Sequence, residues 1–172
     1  MLIIFAGLPA SGKSTLASAL ARHTKAVYIR IDTIEQAVRD SGLSANGPVG
    51  YVVAYGIATD NLRIGRTVVC DSVNPLNISR SAWRDVALRV GVPSIEVEVV
   101  CSDQQEHQHR IESRTSDVPG LRLPTWSDVS QRQYERWETS RIEIDTAGQT
   151  PAQSLSHLLQ LIERNTSKTT NA

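Results

Sequence analysis

The chain predicts a three-layer α/β fold, with a five-stranded parallel sheet of order 2-3-1-4-5 and helices on both faces. Three observations support it. Short β-branched and apolar runs alternate with stretches of helical period, the pattern of parallel strands joined by helical crossovers. The first run, Leu2-Ile3-Ile4-Phe5-Ala6, leads into Gly7-Leu8-Pro9-Ala10-Ser11-Gly12-Lys13-Ser14-Thr15, which fits G-x-x-x-x-G-K-[ST] between a strand and a helix. Right-handed crossovers must also cover both faces, which places the strand before that loop in the middle of the sheet. With 172 residues the chain is about one domain in size. Residues 1–165 are expected to fill that domain, with a lid around 110–126 and a disordered tail over 166–172.

The glycine-bounded loop carries the most specific chemistry. Gly7 and Gly12 let the backbone of Gly7 to Thr15 curl so that successive N–H groups, Pro9 excepted, point inward at a polyphosphate. The positive end of the following helix lies behind them. Lys13 adds a point charge on the terminal phosphates, and Ser14 offers a hydroxyl to Mg²⁺. With glycine near 7% of average usage, the constrained positions recur by accident in roughly one chain of this length in a couple of hundred. Nucleotide binding is the expectation.

Lys13 to Arg22 has helix-forming composition and period. Ala26 to Ile31 reads as the second strand and delivers Asp32 at its carboxyl end, where ligands sit in open parallel sheets. A helix follows with Ile34, Ala37 and Val38 at helical spacing, which Asp32 or Thr33 can cap. Asp32 thus reads either as a cap or as a carboxylate that takes the proton of a phosphoryl acceptor. Ser41 to Pro48 is a loop by composition, and Pro48 suits the first position of a helix to about Arg63. Tyr51 and Tyr55 share a face of it, either packed on the sheet or holding an acceptor.

Thr67 to Asp71 is the third strand, an apolar run closed by a carboxylate that is expected to help hold Mg²⁺. Ser79 to Val90 is a helix with Trp83, Val86, Ala87 and Val90 inward, and Ile95 to Cys101 is the fourth strand. Its alternating Glu96 and Glu98 predict one wet face. Asp103 to Arg114 is a charged helix whose Arg110 and Arg114 enter a flexible segment opposite the phosphate loop. Guanidinium groups so placed can spread charge over transferring phosphoryl oxygens as a lid closes. A further helix opens at Ser127 with Val129, Tyr134 and Trp137 inward. Arg141 to Asp145 alternates like an edge strand, and Pro151 opens a last helix with Leu155, Leu158, Leu159 and Ile162 inward.

Composition excludes several classes. The net charge is zero, which gives no electrostatic pull toward nucleic acid or an anionic membrane. The N-terminal apolar run is too short for a signal peptide, and no stretch is long enough to span a bilayer. Cys70 and Cys101 sit in apolar runs without C-x-x-C spacing, as buried reduced thiols of a cytoplasmic protein would. His107 and His109 fall on different helix faces, against a metal site.

At this point the chain resembles the small kinases with a phosphate-binding loop that are related to zeta toxin, chloramphenicol phosphotransferase and gluconate kinase, among them many predicted kinases and AAA-type ATP-binding proteins. The resemblance covers nearly the whole chain. It implies the P-loop NTPase fold, ATP and Mg²⁺ as cofactors, and a small hydroxyl-bearing substrate. Lys13, Ser14 and Asp71 would then serve ATP and magnesium, Asp32 would be the base, and Arg110 or Arg114 would stabilise transfer. The loop from Asp145 and Thr146 to Gly148 would lie near adenine. Many members carry an arginine three residues after the aspartate, where this chain has Glu35, which argues against an anionic acceptor held there.

Rival functions can be tested on the same residues. Asp71-Ser72-Val73-Asn74 lacks the glycine of D-x-x-G, no N-K-x-D occurs, and Ser72 stands where a hydrolytic ATPase places glutamate. The expected activity is transfer of the γ-phosphoryl group of ATP to a hydroxyl of a small molecule. The alternatives are a nucleotide-binding switch or ATPase acting through a protein partner, and a polynucleotide 5′-hydroxyl kinase. The acceptor and the oligomeric state are not legible.

Overall fold

The computed structural model describes residues 1–170. Strands β1 (Leu2–Ala6), β2 (Val27–Arg30), β3 (Val68–Asp71), β4 (Ser94–Val100) and β5 (Ile142–Asp145) form one parallel sheet in the order β2-β3-β1-β4-β5. Between them run α1 (Lys13–Thr24), α2 (Ile31–Asp40), α3 (Val49–Arg63), α4 (Asn77–Val90), α5 (Gln104–Ser113) and α6 (Trp126–Ser130), and α7 (Pro151–Thr170) ends the chain. This is the expected topology.

The alternation of β1 divides the core. Leu2 and Ile4 join Ala54, Ala58 and Leu62 of α3 and Trp83 and Val86 of α4 on one face of the sheet. Ile3 and Phe5 join Leu16 and Leu20 of α1 and Leu158 of α7 on the other. Buried on both faces, β1 reads in sequence as an unbroken apolar run, which is the mark of a central parallel strand. Tyr55 meets Trp83 edge to face at 4.6 Å between centroids, so this tyrosine belongs to the core.

Four expectations need correction. Glu96 and Glu98 of β4 are buried, not wet: Arg84 and Thr139 hold Glu96 at 2.9 Å each, and Arg141 holds Glu98. The helix expected from Ser127 stops at Ser130, so Tyr134 and Trp137 lie in irregular chain. Both aromatic rings instead sit against the buried guanidinium of Arg80, at 4.9 Å and 4.1 Å. Cys101 lies beyond the end of β4 and is partly exposed. Finally, α7 continues past residue 165, as Asn165 and Thr166 bond back to carbonyls of the preceding turn. The rest of the expected tail, residues 171–172, lies outside the described residues.

Arg80 is 1% exposed and has no carboxylate partner among its hydrogen bonds. It donates to the carbonyls of Asn74, Pro75 and Arg136 and to Asn77 Oδ1, and so joins the segment after β3 to the segment before β5. Arg80→Met removes the donor and leaves those carbonyls unpaired in the interior. The expected loss is about 2–4 kcal/mol of unfolding free energy, read from the urea midpoint. A loss under about 1 kcal/mol would mean that the cost of burying the guanidinium offsets its bonds.

Candidate functional site

The glycines of the first loop are required by space as well as by dihedral angle. Gly7 has φ 144°, and a Cβ there would lie 2.3 Å from the Val99 carbonyl oxygen. Gly12 has φ 92° and comes so close to β5's exit that a Cβ would lie 3.2 Å from the Thr146 side chain. Even Ala10 takes a positive φ of 60°. The loop is held from outside. His107 of α5, itself buried, donates from Nε2 to the Pro9 carbonyl at 2.8 Å, and the Thr146 hydroxyl donates to the Ser11 carbonyl at 2.8 Å.

Lys13 and Ser14 follow at the head of α1, with Thr15 exposed beside them. Lys13 is only 6% exposed. Burial pushes its ammonium below the ordinary range, against the pull of Asp71 and Asp32, while Arg114 and Arg30 add to the depression. The group is a buried cation with both carboxylates in electrostatic reach.

Asp71 closes β3 beside it. Register pairs Asp71 with Phe5 of β1 on one side and with Arg30 of β2 on the other. Its Oδ2 accepts from the Tyr28 hydroxyl at 2.7 Å and lies 3.7 Å from Arg30 Nε. Its Oδ1 is buried and has no hydrogen-bond partner among the described residues. An orphaned carboxylate oxygen at a strand end, next to the Ser14 hydroxyl's helix, fits a hydrated Mg²⁺.

Asp32 is the second residue of α2, not the last of β2, because the strand ends at Arg30 and the helix starts at Ile31. Arg30 occupies the N-cap, and no side chain caps this helix. Asp32 is therefore not spent on capping. Its carboxylate is 39% exposed and 3.6 Å from Arg30 Nε, and it acts electrostatically on Lys13 and Arg114.

The two expected arginines separate. Arg110 turns to the exit of β5, donating to Thr146 Oγ1 at 2.8 Å, to the Thr146 carbonyl at 2.9 Å and to Glu106 at 2.5 Å. Arg114 lies in electrostatic reach of Asp32 and Lys13, and its Nε is buried without a hydrogen-bond partner among the described residues. Burial lowers its pKa, with Asp32 opposing. Of the other expected residues, Thr146 buttresses the phosphate loop. Asp145 accepts from the backbone N–H groups of Ser102 and Ala147 at 3.0 Å each. Burial works against the Asp145 charge, yet these bonds hold its carboxyl below the usual range.

Sequence reasoning missed Arg30, Tyr28, Asp117 and His107. Tyr28 and Arg30 alternate along β2 on the side that faces Asp71, and that period of two was the available signal. Asp117 lies in the segment between α5 and α6 and pairs with Arg30 at 2.7 Å, drawing that segment down over the end of β2. Nothing in sequence pointed to a contact so distant along the chain.

The model of a family described as an AAA domain, AAA_33, matches residues 2–143. Several solved structures share the fold. A protein of Chloroflexus aurantiacus J-10-fl proposed to be a kinase is 22% identical, with 97% of this chain and 96% of that one covered, at a TM-score of 0.75. A gluconokinase from Sinorhizobium meliloti 1021 is 20% identical, covers 96% and 95%, and gives 0.65. The APS kinase of Mycobacterium tuberculosis, in complex with AMPPNP and APS, is 17% identical, covers 94% and 96%, and gives 0.67. No curated protein sequence matches the chain. Among the described residues no helix is long and apolar enough to cross a membrane.

Proposed function

The chain belongs to the AAA domain family, and from that premise we propose that it transfers the γ-phosphoryl group of ATP to a hydroxyl of a small molecule. The observation that carries this reading is Asp32: a carboxylate free of capping duty, in electrostatic reach of Lys13 and Arg114 at the carboxyl end of the sheet. A hydrolytic switch would need a group to position water beside Asp71, and the residue there is Ser72. The residues present fit ATP and magnesium. The loop from Gly7 to Thr15 would cradle the phosphates, and Ser14 with the orphaned Oδ1 of Asp71 would hold the hydrated ion. Magnesium bound there would neutralise charge on the transferring phosphates.

The acceptor hydroxyl hydrogen-bonds to Asp32, which aligns its oxygen for in-line attack on the γ-phosphorus. A new P–O bond forms, the bond to the β–γ bridging oxygen breaks, and ADP leaves with that electron pair. The hydroxyl proton passes to the Asp32 carboxylate. Lys13 and Arg114 face the equatorial oxygens, where charge spreads. Thr146, tied by Arg110, keeps the phosphate loop and the adenine side in register. The segment from Thr115 to Thr125 acts as the lid and excludes water while it is closed.

The test is ATP-dependent phosphorylation across a library of hydroxyl metabolites, read as ADP formed and phosphoester recovered in equal amounts. ADP without phosphoester would replace the kinase by an ATPase. The arginines give a second expectation. Arg114→Ala lowers kcat about 10²–10³-fold with ATP affinity nearly kept, whereas Arg110→Ala weakens ATP binding through Thr146 and changes kcat less. The opposite pattern in single-turnover and binding measurements would exchange their roles.

A further inference from the structure

A second carboxylate stands next to Asp32 on α2. Glu35 lies one helical turn further along α2, three residues on and so on the same face. It is half-buried against the first turn of α3, where a Cβ on Gly50 would lie 2.5 Å from its Cγ. Burial raises its carboxyl above the usual range, and the Asp32 charge adds to this while Arg39 opposes it. The Tyr51 hydroxyl belongs to the same group, since both Glu35 and Asp32 act on it. It accepts the N–H of Asn74 at 3.3 Å and hydrogen-bonds the Ser72 side chain.

One further oxygen at the end of β3 lacks a hydrogen bond among the described residues: Asn74 Oδ1, in a residue 0% exposed. Ser72 lies beside the Tyr51 hydroxyl, and Asn74 donates its N–H to that hydroxyl. Two carboxylates on one face of α2 and an unfilled acceptor oxygen close by in the fold call for donors from a ligand.

The nearby cations are already committed. Arg30 is shared among Asp32, Asp71 and Asp117, with 2.7 Å to the last. Arg114 and Lys13 are assigned to the phosphoryl group in the reading above. Arg39 is tied to Glu35 at 3.3 Å and to Gln36 at 3.4 Å. Arg39 is the exposed end of this pair and holds Glu35 weakly, so a better donor displaces the arginine.

We propose that this recess reads hydrogen-bond donors and rejects anions. The phosphorylated molecule is an alcohol that presents hydroxyl or ammonium groups to Glu35, and not one that carries a carboxylate, phosphate or sulfate. The inference rests on the phosphotransfer reading above and names its substrate class. With the reacting hydroxyl on Asp32, a donor one or two bonds away meets Glu35, whereas an anion placed there meets a second carboxylate. Gly50 keeps that space open for Glu35.

The experiment sorts a library of hydroxyl metabolites into neutral polyols, amino alcohols and anionic alcohols, and measures ATP-dependent phosphoester formation with ATP binding followed separately. Hits are expected among the neutral and amino classes. Glu35→Gln raises the KM of an amino alcohol about 10–100-fold and that of a neutral polyol less, with kcat and ATP affinity kept, which tells the two donor types apart. Gly50→Ala displaces Glu35 and shifts KM in the same direction, and Glu35→Arg shifts preference toward anionic alcohols. Hits confined to anionic alcohols overturn the inference and leave phosphotransfer standing. A Glu35→Gln protein with unchanged KM for every hit also overturns it. No phosphoester from any class, with ATP bound, overturns both readings.

Discussion

Asp32→Asn is expected to bind ATP-magnesium as the parent does and to transfer the phosphoryl group about 10²–10⁴-fold more slowly. The substitution keeps the shape and the position at the head of α2, where the parent side chain caps nothing. A lost cap would cost about 1 kcal/mol of stability; here no such loss is expected, because there is no cap to lose. What disappears is the charge. Asp32 acts on Lys13 and Arg114, and Arg30 lies 3.6 Å away, so neutralisation leaves three cations facing one another less well screened. Electrostatics alone would then strengthen the hold on an anionic nucleotide. ATP affinity unchanged or slightly improved, with kcat fallen steeply, is the signature of a base. Near-parental kcat in a well-folded Asp32→Asn protein would remove Asp32 from the chemistry and leave the transfer without a base.

The strands, their order and the loop were legible because they are local and periodic. β1 is an unbroken apolar run, and the glycines at 7 and 12 have a spacing that chance supplies rarely. Asp71 was legible because it closes such a run. The buried acids of β4 were not. An alternating Glu-Val-Glu pattern predicts water on one side, and what buries it is a partner supplied from elsewhere: Arg84 from α4 and Thr139 and Arg141 from the chain before β5. The same holds for Tyr134 and Trp137, whose helical spacing pointed to a helix although a buried guanidinium holds them in irregular chain. Arg110 and Arg114 looked alike in sequence, and only the position of Thr146 across the fold separates the one that braces the loop from the one in electrostatic reach of Lys13. Tertiary charge pairing is the common cause of these differences, since it leaves no period in the sequence.

Lys13→Ala should give the largest loss of nucleotide affinity of any single change. A charge-assisted bond contributes about 1.5–3 kcal/mol, which corresponds to about 10–100-fold in ATP-magnesium affinity, and the lost stabilisation of the transferring group lowers turnover by about 10²–10³-fold more. The folded protein should not suffer. Burial depresses the Lys13 pKa below its ordinary 10.5, so the unfolded chain binds more protons between the two values and the parent's stability rises as pH climbs through that window. The variant lacks that rise and carries no buried ammonium below it. Asp71 keeps Tyr28 at 2.7 Å and Arg30 at 3.7 Å as partners. Without ligand, the melting temperature at neutral pH should therefore equal or exceed the parent's. With ATP-magnesium added, the parent gains stability by mass action and the variant gains far less, so the order of the two melting temperatures reverses. AMP separates a lost charge from a lost loop: Lys13 acts on the terminal phosphates, so AMP affinity should change little. If Lys13→Ala binds ATP-magnesium as tightly as the parent, the loop between β1 and α1 is not the phosphate site.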